Sequence, residues 1–299
     1  MLYIKFTKDY LEYFEEKVIF PDFLKKIIFA YKKIFGKITK ITKDKGEVWL
    51  IPENNSKFKK SVIKNLKIYH AKTVVLSKKI DNFKEDLKNN GIKILDGKWL
   101  YHYLIVDVAK YICNSKNENF AGQNISFAVK NPQELDFEIL KNLAQNCKNI
   151  NLITKDDYKF KKLEQNLYKE NGIILNVSYN YKRSFLKSDI VINIDLDEKE
   201  FNKFALPRKS IVINLEDIKI YNKGFNGINV LNYEIDLPKK YLDNTFGIDD
   251  FNKEILYESY IYKKTAPQNI LKEIKQDKVK VTQLLGKNGY INKKEYLKV

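Results

Sequence analysis

The chain has 299 residues, enough for two domains that each bury a core. Its apolar content of 44% is that of a folded protein rather than a disordered one. No apolar run reaches the ~18–20 residues needed to cross a bilayer, and the net charge of +17 is almost all lysine, Arg183 and Arg208 being the only arginines.

In chain order, a short strand is predicted at Leu2–Phe6, followed by helices at Asp9–Val18 and Asp22–Phe35. The second of these has Phe23, Leu24, Ile27, Ile28, Tyr31, Ile34 and Phe35 at helical spacing and Gly36 as its stop. A strand at Glu47–Pro52 leads to a helix capped by Asn55 or Ser56 and running to about Tyr69. Thr73–Ser77 is nearly all β-branched or aliphatic and reads as an inner strand. A helix at Asp81–Asn90 ends at Gly91, and the strand Ile92–Asp96 precedes a long helix, Lys98–Asn114.

The polar stretch from Asn114 to Gln123 reads as a boundary. Beyond it, strands are predicted at Ile125–Val129, Ile150–Thr154, Ile173–Val177, Ile190–Ile194 and Ile211–Leu215. Helices are predicted between them near Pro132–Cys147, Tyr158–Asn171, Asn180–Lys187 and Glu198–Phe204. After Leu215 the alternation stops. A turn at Gly224–Gly227, one extended piece at Asn229–Leu237 and helices near Asp249–Lys263 and Pro267–Gln276 complete the chain. The expected fold class is α/β, with two Rossmann-like lobes built on parallel sheets and a C-terminal helical extension. The domains are expected at 1–120, 121–217 and 218–299, the last packing back across the lobes.

Charge is unevenly spread. Residues 1–120 carry a net +11, residues 121–217 only +1, and the remainder +5. Two windows, Phe23–Lys43 and Asn54–Ile80, contain lysines and no acid. Such a field attracts anionic ligands, acidic partners or nucleic acid, although a solvated lysine face is the plainer reading. The lack of arginine in both windows counts against specific nucleic-acid readout. The excess of Lys, Asn, Ile, Tyr and Phe over Arg, Gly, Ala and Pro is also what an AT-rich bacterial genome imposes. Cys113 and Cys147 have neither metal nor redox spacing and suit a reducing cytoplasm, the expected location. The first residues show no secretory leader, and no membrane partner is expected.

Residues 150–215 resemble the later part of an NAD(P)-binding domain of the shikimate dehydrogenase and glutamyl-tRNA reductase kind. The likeness rests on Asn151–Lys155, Phe160–Leu163 with Gly172–Ile173, Lys187–Asn193 and Ser210–Leu215. It implies NAD(P) as the cofactor, with the Ile-Val-Ile-Asn strand end at Asn193 facing the nicotinamide side. The glycine-rich turn that lets backbone N–H groups approach a pyrophosphate is replaced by Val129-Lys130-Asn131-Pro132-Gln133-Glu134. Side chains there bring Cβ atoms to where the diphosphate would lie.

Ligands of parallel sheets bind outside the carboxyl ends of the strands. That rule makes Lys130, Asn131, Thr154, Lys155 and Asn193 the candidate cofactor-binding residues. Ser178, Asn180, Asp195 and Glu216 are further candidates in the second lobe, as are Glu53, Asn54, Ser77, Lys78, Asp96 and Trp99 in the first. Of the two histidines, His102 is the one suited to acid–base work, with a packed helix residue as the commoner alternative, and His70 sits at a helix end. Ser184 and Ser188 lack a nucleophile elbow. Asp195, Asp197, Glu198 and Glu200 read as helix-capping acids before a cation site. No catalytic residue or metal site is assigned. The expected function is that of a divergent or catalytically inactive dehydrogenase-like protein holding a small anionic ligand between its lobes. The alternative is a non-enzymatic module using the lysine-rich first lobe to bind an acidic partner or nucleic acid.

Overall fold

The computed structural model describes residues 1–14, 20–43, 46–147, 149–237, 250–266 and 269–299. The chain forms two compact units, Met1–Trp99 with Leu237–Lys278 and Leu100–Asp236 with Val279–Val299. Neither unit is one continuous stretch, so the division differs from the expected breaks at 120/121 and 217/218. Two facts of packing underlie this. Leu100, Leu104, Ile105 and Ile112 are fully buried in the second unit. Phe251, beyond residue 217, packs in the first unit with Tyr3, Val48 and Val75.

The first unit contains β1 (Leu2–Phe6), α1 (Asp22–Phe35), β2 (Thr39–Lys43), β3 (Gly46–Ile51), α2 (Ser56–Ile68), β4 (Thr73–Leu76), α3 (Lys84–Asn89) and β5 (Lys93–Leu95). The sheet order is β2-β3-β1-β4-β5. Only β2 runs antiparallel to its neighbour. Alternation along the strands sends Ile4, Trp49 and Ile51 to one face, where they meet Phe58, Val62 and Leu66 of α2. These three α2 residues recur every four positions and are wholly buried. Tyr3, Val48, Leu50 and Val75 point to the other face.

Three expectations change in this unit. The helix expected at Asp9–Val18 is a single 3-10 turn at Leu11–Tyr13 in its described part, and residues 15–18 of it lie outside the described residues. Strand β2 was not foreseen, because Thr39-Lys40-Ile41-Thr42-Lys43 has only one apolar residue to signal it. The expected long helix is broken at Leu104 into α4 (Lys98–Tyr103) and α5 (Ile105–Lys116), and the boundary between the units falls inside α4.

The second unit continues with β6 (Asn124–Ala128), α6 (Glu134–Asn146), β7 (Asn149–Ile153), α7 (Asp157–Asn171), β8 (Asn176–Ser178), β9 (Ile190–Asn193), α8 (Glu198–Phe201), β10 (Ile211–Asn214) and β11 (Ile228–Val230). All six strands are parallel, in the order β11-β10-β9-β6-β7-β8. The chain therefore builds outward from β6 through β7 to β8, then returns beside β6 and builds the other way through β9 to β11. This is the doubly wound Rossmann arrangement, with its switch point between β6 and β9. The expected helix at Asn180–Lys187 is a series of turns. There the Ser184 hydroxyl accepts the Asn180 N–H at 2.8 Å, and such local bonding competes with helix.

The piece expected as one strand at Asn229–Leu237 is two. β11 closes the parallel sheet, and β12 (Asn232–Asp236) leaves it. Helices α9 (Lys253–Lys264) and α10 (Ile270–Gln276) follow, belonging to the first unit. The chain then returns to the second unit as β13 (Lys280–Gly286), β14 (Gly289–Tyr290) and α11 (Lys293–Tyr296). β12, β13 and β14 form a small antiparallel sheet that adds to the expected helices of the C-terminal region.

Candidate functional site

The switch point of the second sheet is where a doubly wound fold presents its ligand. Parallel pairing sets Ala128 of β6 opposite Asn193 of β9. Two residues further along each strand, Lys130 therefore faces Asp195. The Lys130 N–H donates to Asp195 Oδ1 at 2.5 Å and the Asn131 N–H to Oδ2 at 2.7 Å. Pro132 has no N–H, and the Gln133 N–H donates to Asp136 Oδ2 at 2.7 Å. Every N–H of the turn 130–133 is thus taken by a carboxylate of the same chain. Bonds of this charge-assisted kind are worth roughly 1.5–3 kcal/mol each.

A second network closes the edge from above. Asp197 caps α8 by accepting the Glu200 N–H at 2.8 Å. The Glu200 side chain is almost buried, 2.9 Å from Lys130 Nζ and 3.0 Å from Lys155 Nζ, and it accepts the Tyr179 hydroxyl. Burial alone would raise the Glu200 pKa. The Tyr179 hydroxyl and the two ammonium groups outweigh it and hold the carboxyl at about 2. The Tyr179 phenol is pushed up by burial and by Glu200, and both lysines are raised, chiefly by bonding to Glu200. Lys155 also stands 4.7 Å over the Tyr179 ring.

The remaining candidates of this unit, Glu216 apart, make hydrogen bonds within the chain. Thr154 is buried and accepts the Asp156 N–H at 3.1 Å. Asn193 is fully buried, accepts the Leu196 N–H at 3.0 Å, and donates to the Leu196 carbonyl and to Asn214 Oδ1, both at 3.0 Å. Asn214 donates in turn to Asn229, making an amide ladder across three neighbouring strands. Ser178 shares a hydrogen bond with Ser184 at 2.9 Å, and Ser188 one with Ser126 at 2.6 Å. Asn180 accepts the Lys182 N–H, and Glu216 is exposed.

In the first unit, Lys5 at the carboxyl end of β1 is paired with Asp250 at 2.6 Å and Glu12 at 2.8 Å. Glu53 pairs with Lys33, and Asn54 bonds Asn82 and the Lys79 carbonyl. Ser77 is buried beside the Phe6 N–H, Lys78 is exposed, Asp96 accepts the Lys98 N–H, and Trp99 packs on Tyr262. No group of three or more His, Cys, Asp or Glu among the described residues is placed to hold a metal.

His70 is exposed just past α2 in left-handed backbone, φ 50°. His102 in α4 lies 2.8 Å from Oδ1 of the fully buried Asp136. That carboxylate takes the His102 ring on one oxygen and the Gln133 N–H on the other, so the pair ties α4 to the start of α6. Burial also pushes the Cys113 thiol up to about 12. Asp136 and Tyr179 were not among the sequence candidates. Asp136 carried a usable signal, three residues after Gln133 at a helix start, which is the capping-box interval. Tyr179 carried none, since only tertiary packing brings it to Glu200.

The two acid-free windows come together in the first unit. The Lys57 ammonium donates to the Ile34 carbonyl at the end of α1, and Lys40 stands 3.5 Å over the Tyr69 ring beyond α2. Helix α1 has no buried side chain. Its outward row of Phe23, Ile27, Tyr31, Ile34 and Phe35 is between 46 and 63% exposed.

No family model matches the chain, and no curated protein does. Among solved structures, aspartate transcarbamoylase from Trypanosoma cruzi is 13% identical over 87% of this chain and 81% of its own, with a TM-score of 0.33. L-Tryptophan dehydrogenase from Nostoc punctiforme is 9% identical over 78% and 76%, TM-score 0.32. Thermococcus litoralis Δ1-pyrroline-2-carboxylate reductase, in complex with NADH and L-proline, is 12% identical over 41% and 40%, TM-score 0.28. Likenesses at this level transfer no activity.

Proposed function

We propose that this chain is a divergent, dehydrogenase-like α/β protein that has left dinucleotide chemistry and acts by binding rather than by hydride transfer. One observation carries the reading. The N–H groups of the turn 130–133, the place of the phosphate loop in a doubly wound fold, are all engaged by Asp195 and Asp136. A diphosphate brought there would meet a carboxylate already seated on the amides meant to receive it. Lys130 and Lys155 do not rescue the site, because Glu200 draws in both, and Asp195 and Asp197 add to the acid at the same edge. The balance at this edge favours a small anion no more than a dinucleotide. Titration of the full chain with NADH and NADPH, followed by cofactor fluorescence, should show no saturable binding up to ~1 mM, the upper end of ordinary enzyme affinity. Saturable micromolar binding that is competed by NAD(P) would overturn the reading.

A second reading is favoured by the meeting of the two acid-free windows. It takes the lysine-rich first unit as an interaction surface for an anionic partner. Affinity for a polyanion column that falls with salt and with Lys57→Gln, Lys60→Gln and Lys64→Gln together is the expected result. Retention unchanged in that variant would count against it.

A further inference from the structure

The outward face of α1 is the least explained surface of the protein. A 14-residue helix is about 21 Å long. Along that length it presents isoleucine and aromatic side chains to solvent, in a row one helical turn apart. Single exposed apolar residues are ordinary, but a contiguous row of them marks a contact surface. The row has no carboxylate within its own sequence window. Lys26 flanks it on the helix, and Lys37 stands 4.8 Å over Tyr31 at its end. Where Lys57 meets the end of α1, α2 begins a second row, Lys57, Lys60, Lys64 and Lys67, at positions sharing one helix face. Lys26, Lys37, Lys60, Lys64 and Lys67 have no acidic partner among the described residues.

Three features choose between occupants. A second copy would set these lysines against their own equivalents, so charge opposes self-association through this face. Nucleic acid would use the aromatic rings as stacking platforms, but Tyr31 and Phe35 pack on each other at 4.6 Å, and Ile27 and Ile34 in the same row offer no π-face. The core of a protein–protein interface is depleted in lysine, whereas lysines border this row on both helices. Lysine point charges without forked geometry suit phosphates that move laterally. A convex apolar row bordered by them suits the headgroup boundary of a bilayer. Among the described residues no helix is long and apolar enough to cross a membrane. That concerns spanning and leaves lying on the surface open.

Resting on the second reading above, we infer that α1 and the adjoining lysine row of α2 form a docking surface for an anionic phospholipid bilayer. The test uses the full chain and sedimentation with vesicles of phosphatidylcholine alone or with about a third phosphatidylserine. The protein should pellet with the anionic vesicles and not with the neutral ones. Ile27→Asp combined with Ile34→Asp should lower that affinity at least about tenfold, with an unchanged circular dichroism spectrum and melting temperature. Lys26→Gln with Lys37→Gln should lower it by a smaller factor and flatten its salt dependence. Failure of the folded chain to bind anionic vesicles would overturn the inference. So would binding that ignores the Ile27 and Ile34 substitutions and vanishes with salt, which is plain adsorption of a basic protein. Retention on a polyanion column that depends on the α2 lysines, with no vesicle binding, overturns the bilayer while leaving the interaction surface standing.

Discussion

The turn after β6 and the outer face of α1 treat their exposed groups in opposite ways. At the turn every backbone donor is matched to a carboxylate, and both nearby lysines are bound to Glu200. On α1 five large apolar side chains have been left in solvent. The first region has satisfied its own polar groups. The second leaves a demand that the described chain does not meet. A fold can therefore keep the frame of a ligand site while its unmet chemistry lies in another part of the molecule.

The largest effect that bears on this contrast is expected at Asp195. Asp195→Ala removes the acceptor shared by two backbone donors and should cost about 2 kcal/mol in urea unfolding, partial access of water limiting the loss. Asp195→Asn keeps one acceptor oxygen and should lose less. A loss near zero for Asp195→Ala would mean that the carboxylate is not needed on those amides and that the turn is free for another anion. Neither variant should gain NADPH, because the side chains of Lys130 and Asn131 still stand where glycines would let a diphosphate approach.

The pH dependence of Glu200 is the next effect. Its folded pKa, about 2, lies below the ordinary 4.5, so the carboxylate contributes stability above about pH 4.5 and loses it as pH falls towards 2. The shift alone corresponds to about 3 kcal/mol, and halving it for solvent screening at lysines that are 41 and 56% exposed leaves about 1.5 kcal/mol. Glu200→Gln should be less stable than the parent at pH 7 by about that amount, and the two should converge near pH 2. Parallel stability curves across that range would remove the network from the account.

Much of the frame was legible because burial dictates the residue pattern. Ile190–Asn193 and Ile211–Asn214 are buried at every position, as β-rich apolar runs in a parallel sheet must be, and Gly36 and Gly172 stop their helices with φ of 65°. The absence of a glycine-rich turn after β6 was legible too, as a composition. The bonding of the turn that stands there was not. The pairing of Lys130 with Asp195 depends on β6 and β9 being neighbours in register, and a single sequence does not show register. Once the strand order is known, counting two residues past Ala128 and Asn193 is enough to find it. The solvent exposure of α1 was not legible either. Its spacing has the period of a core helix, and periodicity alone cannot say whether an apolar stripe faces the interior or a partner.

The smallest expected effect discriminates most sharply. If the row on α1 faces solvent in the free protein, Phe23→Ser and Ile34→Ser remove no buried contact, and each should change stability by less than about 0.5 kcal/mol. Val62→Ala in α2, where the side chain is wholly buried, should cost about 2–3 kcal/mol in the same urea titration and serves as the internal standard. Comparable losses at all three positions would show that other residues of the chain cover α1 in solution. The row would then be core, no surface would await a partner, and the contrast between a closed turn and an open helix face would collapse on its open side.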